Sequence, residues 1–114
     1  MKKLTLAILL GGLGASCGGD SHSEDEATTL SEWRPLAEQG DAEAQFKLAE
    51  MYHAGKGVQE NNLYAHMWFN IAASQGDAIA ATNRSTLAEK MTPAAINAAQ
   101  ELARECVAKE YKGC

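Results

Sequence analysis

Histidine and cysteine, two of the side chains that bind zinc in proteins, each occur three times in this chain of 114 residues. The histidines are His22, His53 and His66. No two of them lie four residues apart on a predicted helix, and a helical projection places both His53 and His66 on polar faces. Because a metal site needs convergent ligands, we expect neither a metal ion nor another cofactor.

Nucleophilic catalysis would require an activated serine or cysteine with a base beside it. The serines of this chain lie in the N-terminal segment and in predicted helices, without a glycine-framed turn or an obvious histidine partner. The neighbouring carboxylates Asp25 and Glu26 are interpreted as solvated charge. We therefore predict no catalytic residues and no enzymatic activity.

The N-terminus has the pattern of a secretory signal peptide. Lys2 and Lys3 precede an apolar run from Leu4 to Leu13. This run is shorter than the roughly 20 apolar residues that a membrane-spanning helix needs, and glycines interrupt it. We predict that residues 1–16 are a signal peptide and that the protein is exported across the bacterial inner membrane.

The sequence Gly14-Ala15-Ser16-Cys17 resembles the lipobox of bacterial lipoproteins. The small residues before Cys17 fit that motif, whereas Gly14 stands where the motif prefers leucine. The resemblance implies that Cys17 is lipidated and becomes the mature N-terminus. The residue directly after Cys17 is Gly18 rather than aspartate. By the same resemblance, this implies a periplasmic protein that is sorted and anchored to the outer membrane. The alternative is an ordinary signal peptide that is cleaved next to an unmodified cysteine.

The segment after Cys17 is small, polar and acidic, and we predict that residues 17–29 form a flexible tether. Residues 30–114 would then be a single domain whose small core needs a further source of stability. Removal of Lys2 and Lys3 changes the formal net charge from −5 to −7. This charge argues against binding to nucleic acid or to anionic lipid.

With Cys17 assigned to the anchor, Cys106 and Cys114 remain as an even pair in an oxidising compartment. Eight residues of continuous helix would separate them by about 12 Å, which is too far for a disulfide. A bond therefore requires the helix to end near Lys109 and the chain to turn back, which Gly113 would ease. Two unpaired thiols are the alternative.

An internal repeat organises the rest of the chain. The segment from Leu36 to Ala44 is echoed by the segment from Ala72 to Ala80, at an offset of 36 residues that also relates Trp33 to Phe69. A repeat of this length indicates stacked pairs of helices.

Helical spacing of the apolar residues predicts an all-α fold of about five helices. The predicted segments are 30–39, 42–54, 61–75, 78–90 and a capping helix over 93–110. Asp41, Asp77 and Thr92 are the predicted N-caps, and Lys109 and Lys112 are placed to favour the C-terminal end of the last helix. In the first of these segments, Pro35 would remove a backbone hydrogen bond from a helix that began before it.

These residues resemble the Sel1-like repeats, a branch of the tetratricopeptide-like helical solenoids. The resemblance centres on one complete repeat over about 41–76, with partial repeats on either side. It rests on Gly-Asp-Ala-x-Ala-Gln from Gly40, then Leu48, Met51-Tyr52, Gly55-x-Gly57-Val58, Ala65, Trp68, Ala72-Ala73 and Gly76. Ala49 stands where the family usually has glycine.

The motif residues have structural interpretations. Ala44, Ala65, Ala72 and Ala73 would let helices approach closely, and Tyr52 and Trp68 would fill the space between layers. Gly55 and Gly57 would permit the reversal between two helices.

The resemblance implies an α-helical scaffold or adaptor that binds another protein. Projection of the helix 42–54 at about 3.6 residues per turn predicts the contact face. The candidate partner-binding residues are Glu43, Phe46, Lys47, Glu50, His53 and Ile79. Phe46 would be an exposed aromatic anchor. The alternative is that Phe46 packs under Trp33 or another element.

Two other functions stay open at this point. Some relatives in the Sel1-like family are described as binding or hydrolysing β-lactams, although no motif in this chain supports that activity. A purely structural envelope lipoprotein is the second alternative.

Overall fold

The computed structural model describes residues 22–114, with side chains from Leu30 onward. It contains the five helices α1 (His22–Glu38), α2 (Ala42–Ala54), α3 (Asn62–Ser74), α4 (Ala78–Ala88) and α5 (Pro93–Ala108). No strand occurs in this part of the chain. The predicted all-α, tetratricopeptide-like fold is confirmed. The predicted signal peptide and Cys17 lie outside the described residues.

Side-chain caps fix where four of the helices begin. In each case the capping oxygen accepts a hydrogen bond from the backbone N–H three residues later. The caps are Asp41 (3.0 Å), Asn61 (3.0 Å), Asp77 (2.9 Å) and Thr92 (3.1 Å). Pro93 occupies the first turn of α5, where its missing N–H costs no helical bond. The predicted caps Asp41, Asp77 and Thr92 are confirmed.

The offset of 36 residues is also present in the backbone of two turns. In the turn from α1 to α2, the N–H of Asp41 donates to the carbonyl of Leu36 across 3.1 Å. In the turn from α3 to α4, the N–H of Asp77 donates to the carbonyl of Ala72 across 3.2 Å. Both turns contain a glycine in the left-handed region, with φ of 98° at Gly40 and 102° at Gly76.

Helix α1 is longer than predicted. It begins at His22, so residues 22–29, which were predicted as part of a flexible tether, are helical. This stretch contains neither glycine nor proline, the residues that most readily stop a helix. Pro35 lies inside the helix but is exposed, while Ala37 is buried and Trp33 packs against the core. Pro35 removes one backbone hydrogen bond from α1, as expected, yet the helix extends on both sides of it.

Helix α3 is the centre of the domain. It packs against α2, α4 and α5, while α1 packs against α2. Trp68 of α3 is fully buried, and the side chain of Tyr52 contacts Tyr64 edge-on at 5.4 Å between ring centres. Of the small residues that were predicted to allow close helix approach, Ala44, Ala65 and Ala72 are fully buried and Ala73 is partly buried. These structural roles are confirmed.

The chain turns back after α5, which ends at Ala108 rather than at the predicted residue 110. Glu110 and Tyr111 adopt left-handed backbone angles, with φ of 57° and 70°, and the N–H of Tyr111 donates to the carbonyl of Cys106 across 2.8 Å. This turn brings the Cα atoms of Cys106 and Cys114 to 5.7 Å, within the span of a disulfide.

The same turn redirects Lys112. Its amino group donates to the carbonyl of Glu38, the last residue of α1, across 2.9 Å. The prediction that Lys112 serves the end of its own helix was therefore wrong, because the tail carries it to the C-terminus of another helix. The Tyr111 ring lies beside Gly40, where an added Cβ would be 3.3 Å from the ring. The tail after α5 thus packs against the end of α1 and the turn that follows it.

Candidate functional site

A groove of about 600 Å³ opens between α2 and α4. This volume lies in the range of ligand pockets in proteins. The two helices supply most of its lining, while α1 and α3 contribute one aromatic side chain each, Trp33 and Phe69. We call this feature the α2–α4 groove.

The base of the α2–α4 groove is apolar. Phe69, Leu87 and Met51 are between 2% and 8% exposed, so they present only small areas to the groove. Trp33 is more exposed than these three residues, although it packs against the core. An aromatic ring that is partly open at the base of a groove is a typical anchor point for a bound side chain.

The rim of the α2–α4 groove is charged. Lys47 and Glu50 of α2 form an ion pair at 3.9 Å, and Lys56 and Lys90 follow the ends of α2 and α4. His53 is exposed on the same rim, with its Nδ1 atom 3.4 Å from Oδ1 of Asn62. The groove therefore combines an apolar base with polar groups that could fix the orientation of a ligand.

The lining of the α2–α4 groove follows the repeat. Five pairs of lining residues are related by the offset of 36 positions. They are Trp33 and Phe69, Lys47 and Asn83, Glu50 and Thr86, Met51 and Leu87, and Ala54 and Lys90. The same face of two successive repeats thus forms the groove, which is how solenoid proteins build an extended concave surface.

Three residues of the predicted contact face, Lys47, Glu50 and His53, line the α2–α4 groove. Phe46 does not, because its ring packs against the ring of Phe69, with centres 5.8 Å apart, and the side chain is half-buried. The prediction of Phe46 as an exposed anchor was wrong, and the alternative of packing against another element was right. Helix α2 contacts both α1 and α3, so it needs apolar residues on more than one side.

Two other predicted residues also lie outside the groove. Glu43 and Ile79 are exposed, Ile79 by 65%, and they stand at equivalent positions in the first turns of α2 and α4. The α2–α4 groove uses the later turns of both helices instead. Sequence reasoning missed Asn83, Thr86, Leu87 and Lys90, although adding 36 to the numbers of the groove residues in α2 would have found them.

The histidines do not come together with other metal ligands. His53 is exposed as predicted, but His66 is only 2% exposed, so its predicted place on a polar face was wrong. Helix α3 packs against three other helices, which leaves it little solvent-facing surface. No group of three histidine, cysteine or acidic side chains converges in the part of the chain whose side chains the structure describes, residues 30–114.

Burial lowers the pKa of His66 from its usual value of 6.5, and the positive charge of Arg84 lowers it further. Its Nδ1 atom has no hydrogen-bond partner within the described part of the chain. Arg84 itself donates to Oδ1 of Asn70 across 2.6 Å. His66 is therefore a neutral core residue beneath α4, not a residue of the groove.

None of the helices within residues 22–114 has both the length and the apolar character that crossing a membrane requires. No curated protein has a significant match to this chain. Residues 42–77 match the family model of the Sel1 repeat. The match covers α2, α3 and the turns around them. It therefore includes the residues of α2 that line the groove. This part of the chain is therefore similar to the Sel1 repeat, a helical repeat that generally mediates protein–protein interaction.

Proposed function

We propose that this chain is a lipid-anchored adaptor of the bacterial envelope, which holds another protein in the α2–α4 groove and has no catalytic activity of its own. The observation that carries this proposal is the repeat-related lining of the groove, with equivalent residues of α2 and α4 facing one opening. Such a surface can bind an extended partner segment along the helices.

The chemistry of the groove supports a binding role. Its partly open aromatic residue, Trp33, stands at the base, and the charged residues stand at the rim. Protein interfaces have the same arrangement, with aromatic anchors at the centre and polar groups around them. The Sel1-like family, whose repeats generally bind proteins, points in the same direction.

The anchoring part of the proposal rests on the sequence. The signal-like residues 1–16 and the lipobox-like sequence before Cys17 support export and lipidation. Without Lys2 and Lys3 the chain has a formal net charge of −7, which makes electrostatic attachment to anionic lipid unfavourable, so a covalent lipid would have to supply membrane attachment. Residues 18–21, which lie between Cys17 and α1, would link the lipid to the domain.

The test of the docking site is to block it without disturbing the core. Thr86 is exposed and lines the α2–α4 groove, so Thr86→Trp should fill the groove from its rim. Gln100→Trp on the exposed face of α5 is the matched control. Circular dichroism and thermal unfolding would establish that both variants fold.

We expect the wild-type chain and Gln100→Trp to capture the same partner from detergent-solubilised envelopes. Thr86→Trp should fail to capture it. Equal capture by all three proteins would show that the groove is not the docking site. No specific capture by the wild type would contradict the adaptor function itself.

A further inference from the structure

We infer that the segment bound in the α2–α4 groove is an acidic peptide segment that carries an apolar side chain. This inference rests on the proposed function and adds the chemistry of the partner.

The charge of the groove is opposite to that of the whole chain. The residues that line the groove include the three lysines Lys47, Lys56 and Lys90, and a single carboxylate, that of Glu50. The chain as a whole has a formal net charge of −5. Three lysines around one opening in an acidic protein create a local positive field, and such a field attracts and orients an anionic ligand.

Two of these lysines have no carboxylate partner in the part of the chain that the structure describes. The ion pairs within the described residues join Lys47 to Glu50 and Arg104 to Glu101, so Lys56 and Lys90 are not neutralised by either. Both lysines follow the C-terminal ends of helices, where positive charge stabilises the helix dipole. The two lysines can therefore contribute to the stability of these helices. Both amino groups nevertheless remain available to a bound carboxylate.

The apolar base of the groove favours a ligand with an apolar side chain over a ligand that offers negative charge alone. Trp33, Met51, Phe69 and Leu87 line the same groove as the lysines, and Trp33 is the most open of them. A simple polyanion would contact the rim and leave this surface exposed to water. A peptide with acidic residues around one large apolar residue satisfies both parts of the groove, because burial of that residue adds binding free energy to the ion pairs.

The experiment is selection from a displayed library of random peptides on the immobilised, exported full chain. Selection on Thr86→Trp in parallel removes peptides that bind elsewhere. We expect the enriched peptides to be acidic and to contain a large apolar residue. Their affinity should fall as the salt concentration rises, since salt screens exposed charges.

Affinities of the enriched peptides would then be measured with the double variant Lys56→Gln/Lys90→Gln. Exposed ion pairs contribute roughly 0.2–1 kcal/mol each, so the loss of two should weaken binding by about 2-fold to 30-fold. Lys109→Gln, a lysine outside the groove, should leave the affinity unchanged. Replacement of the apolar peptide residue by glycine should also weaken binding.

The outcomes separate the inference from the proposed function. Groove-dependent peptides without acidic residues, or acidic peptides whose affinity survives Lys56→Gln/Lys90→Gln, would overturn the inference and leave the docking site standing. Acidic peptides that do not need their apolar residue would overturn it as well, since a polyanion site would explain them. Failure to enrich any peptide over Thr86→Trp would count against both the inference and the docking site.

Discussion

The side-chain amide of Gln75, at the end of α3, donates a hydrogen bond to Oε1 of Gln45 across 2.7 Å. The same nitrogen donates to the carbonyl of Gly40 across 3.0 Å, and Nε2 of Gln45 donates to the carbonyl of Ala37 across 3.1 Å. Gln45 is fully buried. These bonds connect the end of α1, the first turn of α2 and the end of α3.

We predict that Gln45→Ala lowers the free energy of unfolding by about 1–3 kcal/mol, because it removes a buried, doubly bonded amide. Gln75→Ala should cost less, about 0.5–1.5 kcal/mol, because Gln75 is exposed. Gln39 occupies the equivalent position of the preceding repeat and is also exposed, so Gln39→Ala is the matched control. Urea unfolding of the three variants measures these differences.

The double variant Gln45→Ala/Gln75→Ala isolates the bond between the two amides. If the bond is formed in solution, the two losses should fall short of additive by about 0.5 kcal/mol or more. Strictly additive losses would contradict the connection.

The second prediction concerns the cysteines. We expect Cys106 and Cys114 to be joined in the exported protein, because the chain reverses after α5 and places their Cα atoms 5.7 Å apart. Closure of so short a loop should stabilise the domain by about 2.5 kcal/mol in the chain-entropy model. Intact-mass spectrometry without reductant should show a mass lower by two hydrogens than the reduced chain.

Reduction of the disulfide tests its contribution to stability. Dithiothreitol should lower the unfolding midpoint of the wild type and leave that of Cys106→Ser/Cys114→Ser unchanged. It should also loosen the contact of Lys112 with α1, since the bond holds the tail in place. Two free thiols in periplasmically expressed protein would show this prediction to be wrong.

The third prediction is the pH dependence that follows from His66. Its pKa is lowered in the folded protein, chiefly by burial. Well above pH 6.5 the imidazole is neutral in both states and contributes no pH dependence. Below pH 6.5 the unfolded chain binds the proton first, so stability falls as the pH falls towards the lower folded pKa.

One proton accounts for up to about 1.4 kcal/mol of unfolding free energy per pH unit in that window. His66→Gln should therefore remove part of the acid destabilisation, measured as the slope of unfolding free energy between pH 7.5 and 5. His53→Gln at the exposed histidine is the control. Equal slopes for the wild type and His66→Gln would contradict the buried, neutral state of this histidine.

The fourth prediction concerns attachment. If the lipobox-like sequence is used, Cys17→Ser should move the protein from the membrane fraction to the soluble periplasmic fraction, and the wild type should carry acyl mass at its N-terminus. Ser16→Ala, which keeps a small residue before Cys17, should leave the protein in the membrane fraction. A wild-type protein that is soluble and carries no acyl group would show that the signal peptide is simply cleaved and that Cys17 carries no lipid anchor.

Local signals explain why the helix boundaries could be predicted. Asp41, Asp77 and Thr92 cap helices through bonds that span three residues, and Gly40 and Gly76 end helices through their own backbone freedom. Neither effect depends on the rest of the fold. Such signals place a boundary to within one or two residues.

The orientation of side chains around each helix could not be predicted in the same way. A projection that assumes one buried face placed Phe46 and His66 on polar faces, whereas α2 and α3 each contact more than one neighbour. Lys112 was misassigned because its partner, Glu38, is distant in sequence and is brought near only by the turn after α5. The repeat offset of 36 residues carried more information about the groove than the projection did.

The central claim is that the α2–α4 groove holds a partner protein, and photo-crosslinking in living bacteria tests it most directly. A photoreactive amino acid in place of Thr86 would stand in the groove, and the same residue in place of Gln100 would stand on α5. We predict a crosslinked species of defined mass from position 86 and none from position 100. Absence of a crosslink from position 86, or the same species from both positions, would contradict the claim.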